Sequence, residues 1–283
     1  MKIGRYLKDI GRAVLNRKTV YSNSKEYFIT DMRRFEGKTA VVTGASGAIG
    51  SAVAKRLAAE GATVYLGGRN KDKLDALSEA MKVNGGHGIP LVLDITDPDS
   101  VEAAAGIVRE RSGGPGILVN CAGGSSREHC ADIIDQSTEM IDDMLGINLR
   151  GTILCTRAFG KDIVHCPGGR IINISSVIGE KGKASFSDYA AAKAGIIGFT
   201  RSVAQEFGVQ GVTVNCVSPG YIQRGEFRED RLPYLLNSNF LHKIGCAEDV
   251  ASAVAFLASE ESGFITGQNL CVDGGRSLGL HGD

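Results

Sequence analysis

The 283 residues, 43% of them hydrophobic, suffice for one large α/β domain. The 32 basic and 32 acidic side chains cancel, which excludes a general pull on nucleic acid or anionic lipid and leaves a small molecule as the expected partner. No run approaches the roughly 18 apolar residues of a membrane span, the N-terminus lacks a secretory apolar core, and seven cysteines without any C-x-x-C fit reduced thiols in a cytoplasm. His129-Cys130 and His165-Cys166 lack the paired spacing of a zinc site, so no metal is expected.

Residues 1–34 carry nine Lys/Arg against three Asp/Glu, with Ile3, Leu7, Ile10, Val14 and Leu15 at helical spacing. They form a basic amphipathic extension, for which two readings stay open: packing on its own domain or a neighbouring subunit, and a membrane-surface or targeting role. Domain 35–283 follows. In it KTAVVTG, ATVYLGG, GIPLVLD, GILVN, GRIINIS, VTVNCVS and QNLCVDG alternate with amphipathic stretches. Alternation implies β-α-β units, and near-continuous Val/Ile/Leu implies strands covered by helices on both faces. The expected architecture is a single three-layer αβα domain with a doubly wound parallel sheet of Rossmann type.

The first strand runs into Gly44-Ala45-Ser46-Gly47-Ala48-Ile49-Gly50 and then the helical SAVAKRLAAEG. A small-residue turn at the first β-to-α junction lets backbone amides approach a pyrophosphate, with the helix N-terminus adding partial positive charge. Gly44, Ser46, Gly47, Ala48 and Ile49 are therefore candidate cofactor contacts. An acid about 20 residues on would hold a 2′-hydroxyl, yet the second strand ends at Gly67-Gly68-Arg69-Asn70. Arg69 suits a 2′-phosphate, which favours NADP(H) over NAD(H); the bland alternative is a solvated charge.

Tyr189 and Lys193 sit in the helical DYAAAKAGIIGFTRSVAQEF, four residues apart and on one face. A tyrosine can protonate a carbonyl oxygen, but its reference pKa of about 10 makes it a weak base for the reverse step. A cation about 4 Å away contributes roughly 4 kcal/mol at an effective dielectric of 20, the right size to correct this. A second Y-x-x-x-K, Tyr21 to Lys25, lies upstream of the nucleotide loop and is read as structural. Residues 221–243 mix aromatics with charges as a lid would, and Phe186, Tyr221, Phe227, Tyr234 and Phe240 are candidates for an apolar wall or for ordinary packing. Gly275-Arg276-Ser277-Leu278-Gly279 fits G-x-S-x-G, but only four residues follow it, too few to supply the Asp and His of a hydrolase.

From Glu36 to Gly275 the sequence resembles the short-chain dehydrogenase/reductase family, in a pattern similar to its 3-oxoacyl-[acyl-carrier-protein] reductases. The matches are Thr43 to Gly50, Asp94, Asn120-Cys121-Ala122-Gly123, Asn148, Ser176, Tyr189 with Lys193, Pro219-Gly220, and Val272 to Gly275. The resemblance implies a catalytic set of Asn148, Ser176, Tyr189 and Lys193. In it Lys193 also holds the nicotinamide ribose, Ser176 bonds the substrate oxygen with Ser175 in support, and Asn148 serves a water-linked proton path. It further implies cofactor contacts at Asp94, Ile95, Asn120, Ala122, Gly123, Pro219, Gly220 and, through its backbone, Ile222. Relatives of this kind are usually tetramers that use the two long helices and the last strand, so a homo-oligomer is expected.

One departure stands out. Where the family commonly has threonine in P-G-x-[I/V]-x-T, this chain has Arg224. Contact with a pyrophosphate or anionic substrate and a solvated loop charge both remain open for it. The function expected is hydride exchange between NADP(H) and a ketone or secondary alcohol; the alternative is a dinucleotide-binding sensor or scaffold without catalysis.

Overall fold

A computed structural model describes residues 33–124, 130–223, 225 and 229–278. Residues 1–32 of the N-terminal extension with its Tyr21–Lys25 pair, the loop 125–129, Arg224, Phe227 and the G-x-S-x-G residue Gly279 lie outside them.

Each apolar run becomes a strand: β1 (Thr39–Thr43), β2 (Thr63–Gly68), β3 (His87–Val92), β4 (Ile117–Asn120), β5 (Arg170–Ile174), β6 (Thr213–Pro219) and β7 (Asn269–Val272). All pair in parallel, in the order β3-β2-β1-β4-β5-β6-β7. Between them run helices α1 (Ala48–Ala59), α2 (Lys71–Val83), α3 (Pro98–Ser112), α4 (Thr138–Leu145), α5 (Gly151–Ile163), α6 (Val177–Lys181), α7 (Ser187–Gly208), α8 (Leu232–Asn237) and α9 (Ala247–Ala258). The result is the single Rossmann-like domain expected from the alternation.

The continuous apolar character of the strands follows from double-sided burial. Val42, Val64, Leu66, Val119 and Ile172 face one core with α1, α2 and α9. Their neighbours Val41, Tyr65, Leu118 and Ile171 face a second core with α3, α5 and α7. Local chemistry fixes the helix starts: Asn70 accepts from Lys73 N–H at 2.9 Å, Asp97 from Asp99 N–H at 3.0 Å ahead of Pro98, and Ser137 from Met140 N–H at 3.2 Å. The chain before β1 is pinned by Glu60, fully buried at the end of α1, which accepts from Arg34 Nε at 2.6 Å, Arg34 Nη2 at 2.9 Å and Arg56 Nε at 2.5 Å.

Strand order reverses between β1 and β4, and in such sheets a crevice opens at the carboxyl ends of the strands at that point. Here that crevice is a cleft of about 900 Å³. The segment expected as a lid begins with a bridge from Ile222 to Gly245 and carries α8, whose Leu235 is buried while Tyr234 is exposed.

Candidate active site

The floor of the cleft is the turn after β1. Gly44 has φ +67°, and a Cβ on it would lie 2.7 Å from the Ala122 Cα, so glycine is required by both backbone and space. Thr43 Oγ1 accepts from the N–H groups of Cys121 and Ala122, each at 3.1 Å, and so ties the turn after β4 to the end of β1. Gly47 caps α1 without offering a side-chain acceptor, so the cap leaves the first-turn amides to other partners.

Gly44, Ser46, Gly47, Ala48, Ile49, Arg69, Asp94, Ile95, Ala122, Gly123, Pro219, Gly220 and Ile222 all line this one cleft, as do Ser176, Tyr189 and Lys193. Asn120 and Asn148 do not. Asn120 is buried, and its amide nitrogen donates to Thr156 Oγ1 at 2.9 Å and Asn173 Oδ1 at 2.8 Å, locking β4 to β5 and α5. At the end beside Arg69, Asp94 Oδ1 accepts from the backbone N–H and hydroxyl of Thr96 at 2.9 and 2.7 Å. Those bonds first, and the Arg69 charge last, hold its carboxyl below the usual range.

At the other end Tyr189 and Lys193 project from α7. Lys193 is buried, its Nζ donates to the Ile174 carbonyl at 2.9 Å, and it lies 5.7 Å from the Tyr189 ring centroid. Ser175 Oγ donates to the Lys193 carbonyl at 2.7 Å, which fixes α7 against the end of β5. Ser176, one residue on, caps α6 by accepting from Ile178 N–H at 3.2 Å. Asn148 is fully buried in a π-turn (Gly146–Arg150) joining α4 to α5, an irregularity frequent at functional sites. Its Nδ2 donates to the Met144 carbonyl at 3.1 Å, while Oδ1 has no partner among the described residues. A Cβ on Gly123 would lie 2.6 Å from that oxygen and 3.4 Å from Lys193 Nζ, so bare backbone is what seats both groups.

Of the aromatic residues singled out for a wall, Phe186, Tyr221 and Tyr234 line the cleft. Phe240 does not; a Cβ built on Gly275 would lie 3.2 Å from its ring. Sequence reasoning passed over the basic residues Lys181, Lys183, Arg231 and Arg276, which also line the cleft. Burial pushes the Cys155 and Cys216 thiols up to about 12, which leaves them inert. Among the described residues no helix is long and apolar enough to cross a membrane, and no group of three or more His, Cys, Asp or Glu could hold a metal ion.

Comparison with known proteins agrees with this geometry. A family model described as "Enoyl-(Acyl carrier protein) reductase" matches residues 44–277. The 3-oxoacyl-[acyl-carrier-protein] reductase FabG of Escherichia coli (strain K12) is 39% identical over 247 residues, 86% of this chain and 99% of that protein. The short-chain reductase protein NovJ of Streptomyces niveus is 37% identical over 257 residues, 87% of this chain and 97% of its own. A solved structure described as a short-chain alcohol dehydrogenase from Sinorhizobium meliloti 1021 superposes with TM-score 0.82 at 28% identity, covering 88% of this chain and all of that one. Another, described as ribose-5-phosphate isomerase from Brucella melitensis 16M, superposes with TM-score 0.78 at 40% identity, covering 86% and 93%. The chain belongs to the short-chain dehydrogenase/reductase family of oxidoreductases.

Proposed function

We propose that the protein moves a hydride between NADP(H) and a ketone or secondary alcohol, with Tyr189 as the general acid and base. The observation that carries this reading is the convergence of Ser176, Tyr189 and Lys193 on the cleft that the glycine turn opens. The cofactor fits the residues present: a Cβ would fill the cradle at Gly44, and the buried Oδ1 of Asn148, unpartnered among the described residues, awaits a polar partner beside Lys193. Gly44 to Ile49 would take the pyrophosphate, Asp94 and Ile95 the adenine end, Lys193 the nicotinamide ribose, and the backbone near Ile222 the carboxamide. When bound, the nicotinamide supplies or accepts the hydride.

The remaining work belongs to the chain. Ser176 donates to the carbonyl oxygen, and Tyr189 gives that oxygen a proton as it becomes an alcohol, or removes one in the reverse direction. Lys193, anchored on the Ile174 carbonyl, holds positive charge beside the phenol and favours its ionised form. Asn148 supports water that returns a proton to Tyr189. NADP(H) is favoured because β2 ends without a carboxylate and Arg69 stands there instead. Ala191, Ala194 and Gly198 on the exposed face of α7, with Leu270 on the edge strand β7, suit homo-oligomeric assembly, which a single-chain mass in size-exclusion chromatography would overturn.

Tyr189→Phe tests the chemistry. Loss of at least about 100-fold in NADPH oxidation, with NADPH affinity retained, is the expected result. Undiminished turnover would return the protein to the alternative of a nucleotide-binding sensor or scaffold. An isomerisation, as named for the Brucella melitensis structure, leaves the redox state of the cofactor unchanged, so the same assay separates it.

A further inference from the structure

Charge in the cleft is one-sided. Among the described residues, Arg69, Lys181, Lys183, Lys193, Arg231 and Arg276 line it against a single carboxylate, Asp94. The whole chain is neutral, so this imbalance is local. Arg69 and Asp94 stand together at one end, and Lys193 stands beside Tyr189. The other four cations come from three separate segments: Lys181 and Lys183 at and after the end of α6, Arg231 at the start of α8, and Arg276 beyond β7.

None of these four ion-pairs with a carboxylate among the described residues. Glu229 and Asp230 directly precede Arg231 in sequence, Asp230 without forming an ion pair to it, and the acids nearest Lys181, Lys183 and Arg276 are committed elsewhere. Glu180 accepts from Asn269 Nδ2 and Cys271 Sγ. Asp273 accepts from Gly275 N–H at 2.9 Å and Ser277 N–H at 2.7 Å. What positions the cations is neutral: Lys183 Nζ lies 4.1 Å from the Phe186 ring centroid, and Arg276 Nη1 donates to Ser238 Oγ. Among the described residues no ion pair neutralises them, and a cleft lined mainly by one sign concentrates the opposite ion.

We propose that the ketone substrate carries an oxyanion, a carboxylate or a phosphate, gripped by Lys183, Arg231 and Arg276 in the half of the cleft roofed by α8. The guanidinium forks of Arg231 and Arg276 suit either group in a bidentate bond, while Lys183 contributes a point charge held over Phe186. This deepens the reductase reading and rests on it. Tyr189 would act on the carbonyl while the rim selects the anion, and the aromatic side chains of Tyr221 and Tyr234 would cover the carbon skeleton between them.

The test uses matched ketones with the full chain and NADPH: 4-oxocyclohexanecarboxylate against its methyl ester, and dihydroxyacetone phosphate against dihydroxyacetone. In at least one pair the anionic member should have the higher kcat/KM by about tenfold or more, as expected for one charge-assisted hydrogen bond, and the advantage should shrink as salt is added. Arg276→Gln and, separately, Lys183→Gln should each cut the anionic-to-neutral ratio about tenfold, with NADPH affinity by fluorescence as the check on the cleft. Neutral members turned over as well as the anions, or a ratio that survives both substitutions, would overturn the proposal while leaving the reductase intact. If no ketone oxidises NADPH, cyclohexanecarboxylate and inorganic phosphate are titrated calorimetrically into the protein–NADPH complex. Binding that both substitutions weaken keeps the anion site and rejects the reductase; absence of binding rejects the site.

Discussion

Replacing Gly123 by alanine is the sharpest test of how the reacting groups are held. The new methyl would start 2.6 Å from Asn148 Oδ1 and 3.4 Å from Lys193 Nζ, well inside ordinary contact for the first. Asn148 cannot retreat cheaply. Its Nδ2 is bound to the Met144 carbonyl at 3.1 Å, its own carbonyl accepts from Thr152 Oγ1 at 2.8 Å, and it is fully buried. Lys193 is tethered to the Ile174 carbonyl. Relief needs a shift approaching ~1 Å in the turn after β4 or in Asn148, and overpacking of this sort costs about 1–3 kcal/mol of stability. Misplacement on that scale lowers turnover by about 100-fold. Urea denaturation reads the first effect and steady-state NADPH oxidation the second, with the loss expected in kcat more than in KM. A variant with wild-type kcat and an unmoved urea midpoint would refute the idea that the bare backbone of Gly123 seats Asn148 and Lys193.

Arg69→Ala should reduce the preference for NADPH over NADH by about tenfold, the low end for a hydrogen bond to a charged group because Arg69 is exposed and Asp94 already draws on its charge. Ratios of kcat/KM for the two cofactors measure it, and an unaltered ratio would assign Arg69 to solvent. Glu60→Gln removes the buried carboxylate shared by two guanidiniums and should destabilise the fold by about 2–4 kcal/mol at neutral pH, below or within the range for a broken buried pair because both arginines keep some solvent, Arg34 keeps Glu261 at 3.7 Å and Arg56 keeps Ser252 at 3.3 Å. Burial pushes the Glu60 carboxyl up, but the bonds from Arg34 and Arg56 outweigh it and hold it below the usual range. Its stabilisation is then present above the unfolded value of about 4.3 and fades as pH falls through the lower folded value. Urea midpoints of the two proteins should converge below about pH 4, and a constant gap from pH 7 to pH 3 would contradict this sign.

The strands, the glycine turn and the Tyr189–Lys193 helix were legible in the sequence because each is a local pattern. An apolar run, a string of small residues and a four-residue spacing can be read without knowing what they pack against. Asn120 shows where that stops. Its motif marks it as a cofactor contact, whereas its side chain lies outside the cleft and its amide nitrogen is bound to Thr156 on α5 and Asn173 on β5, partners 36 and 53 residues away that only the crossover connections bring near. Phe240 met the same limit: aromatic character is visible in sequence, but the side of the lid it faces is not, so wall and packing could not be told apart. Thr43 and Ser175 were visible as residues, yet their work is to bond backbone atoms of other segments, which no spacing announces.

The balance of 32 charges of each sign led the sequence reading to expect a small-molecule partner with no general pull on anionic polymers or lipid. Net charge governs the far field, and at ordinary salt that field decays within about 8–10 Å of the surface. Selection happens inside the cleft, over shorter distances and beside low-dielectric walls, where the local sum matters. Lys183, Arg231 and Arg276 are 48 and 45 residues apart in the chain, so no window of sequence contains the cluster they form. The acidic neighbours Glu180 and Asp273 make the segments of Lys183 and Arg276 look balanced in sequence, but in the fold those carboxylates bond an edge-strand side chain and the turn after β7 instead. A neutral protein can thus present a cationic active site when folding directs the two signs to different faces, and cancellation along the chain says nothing about cancellation at the site.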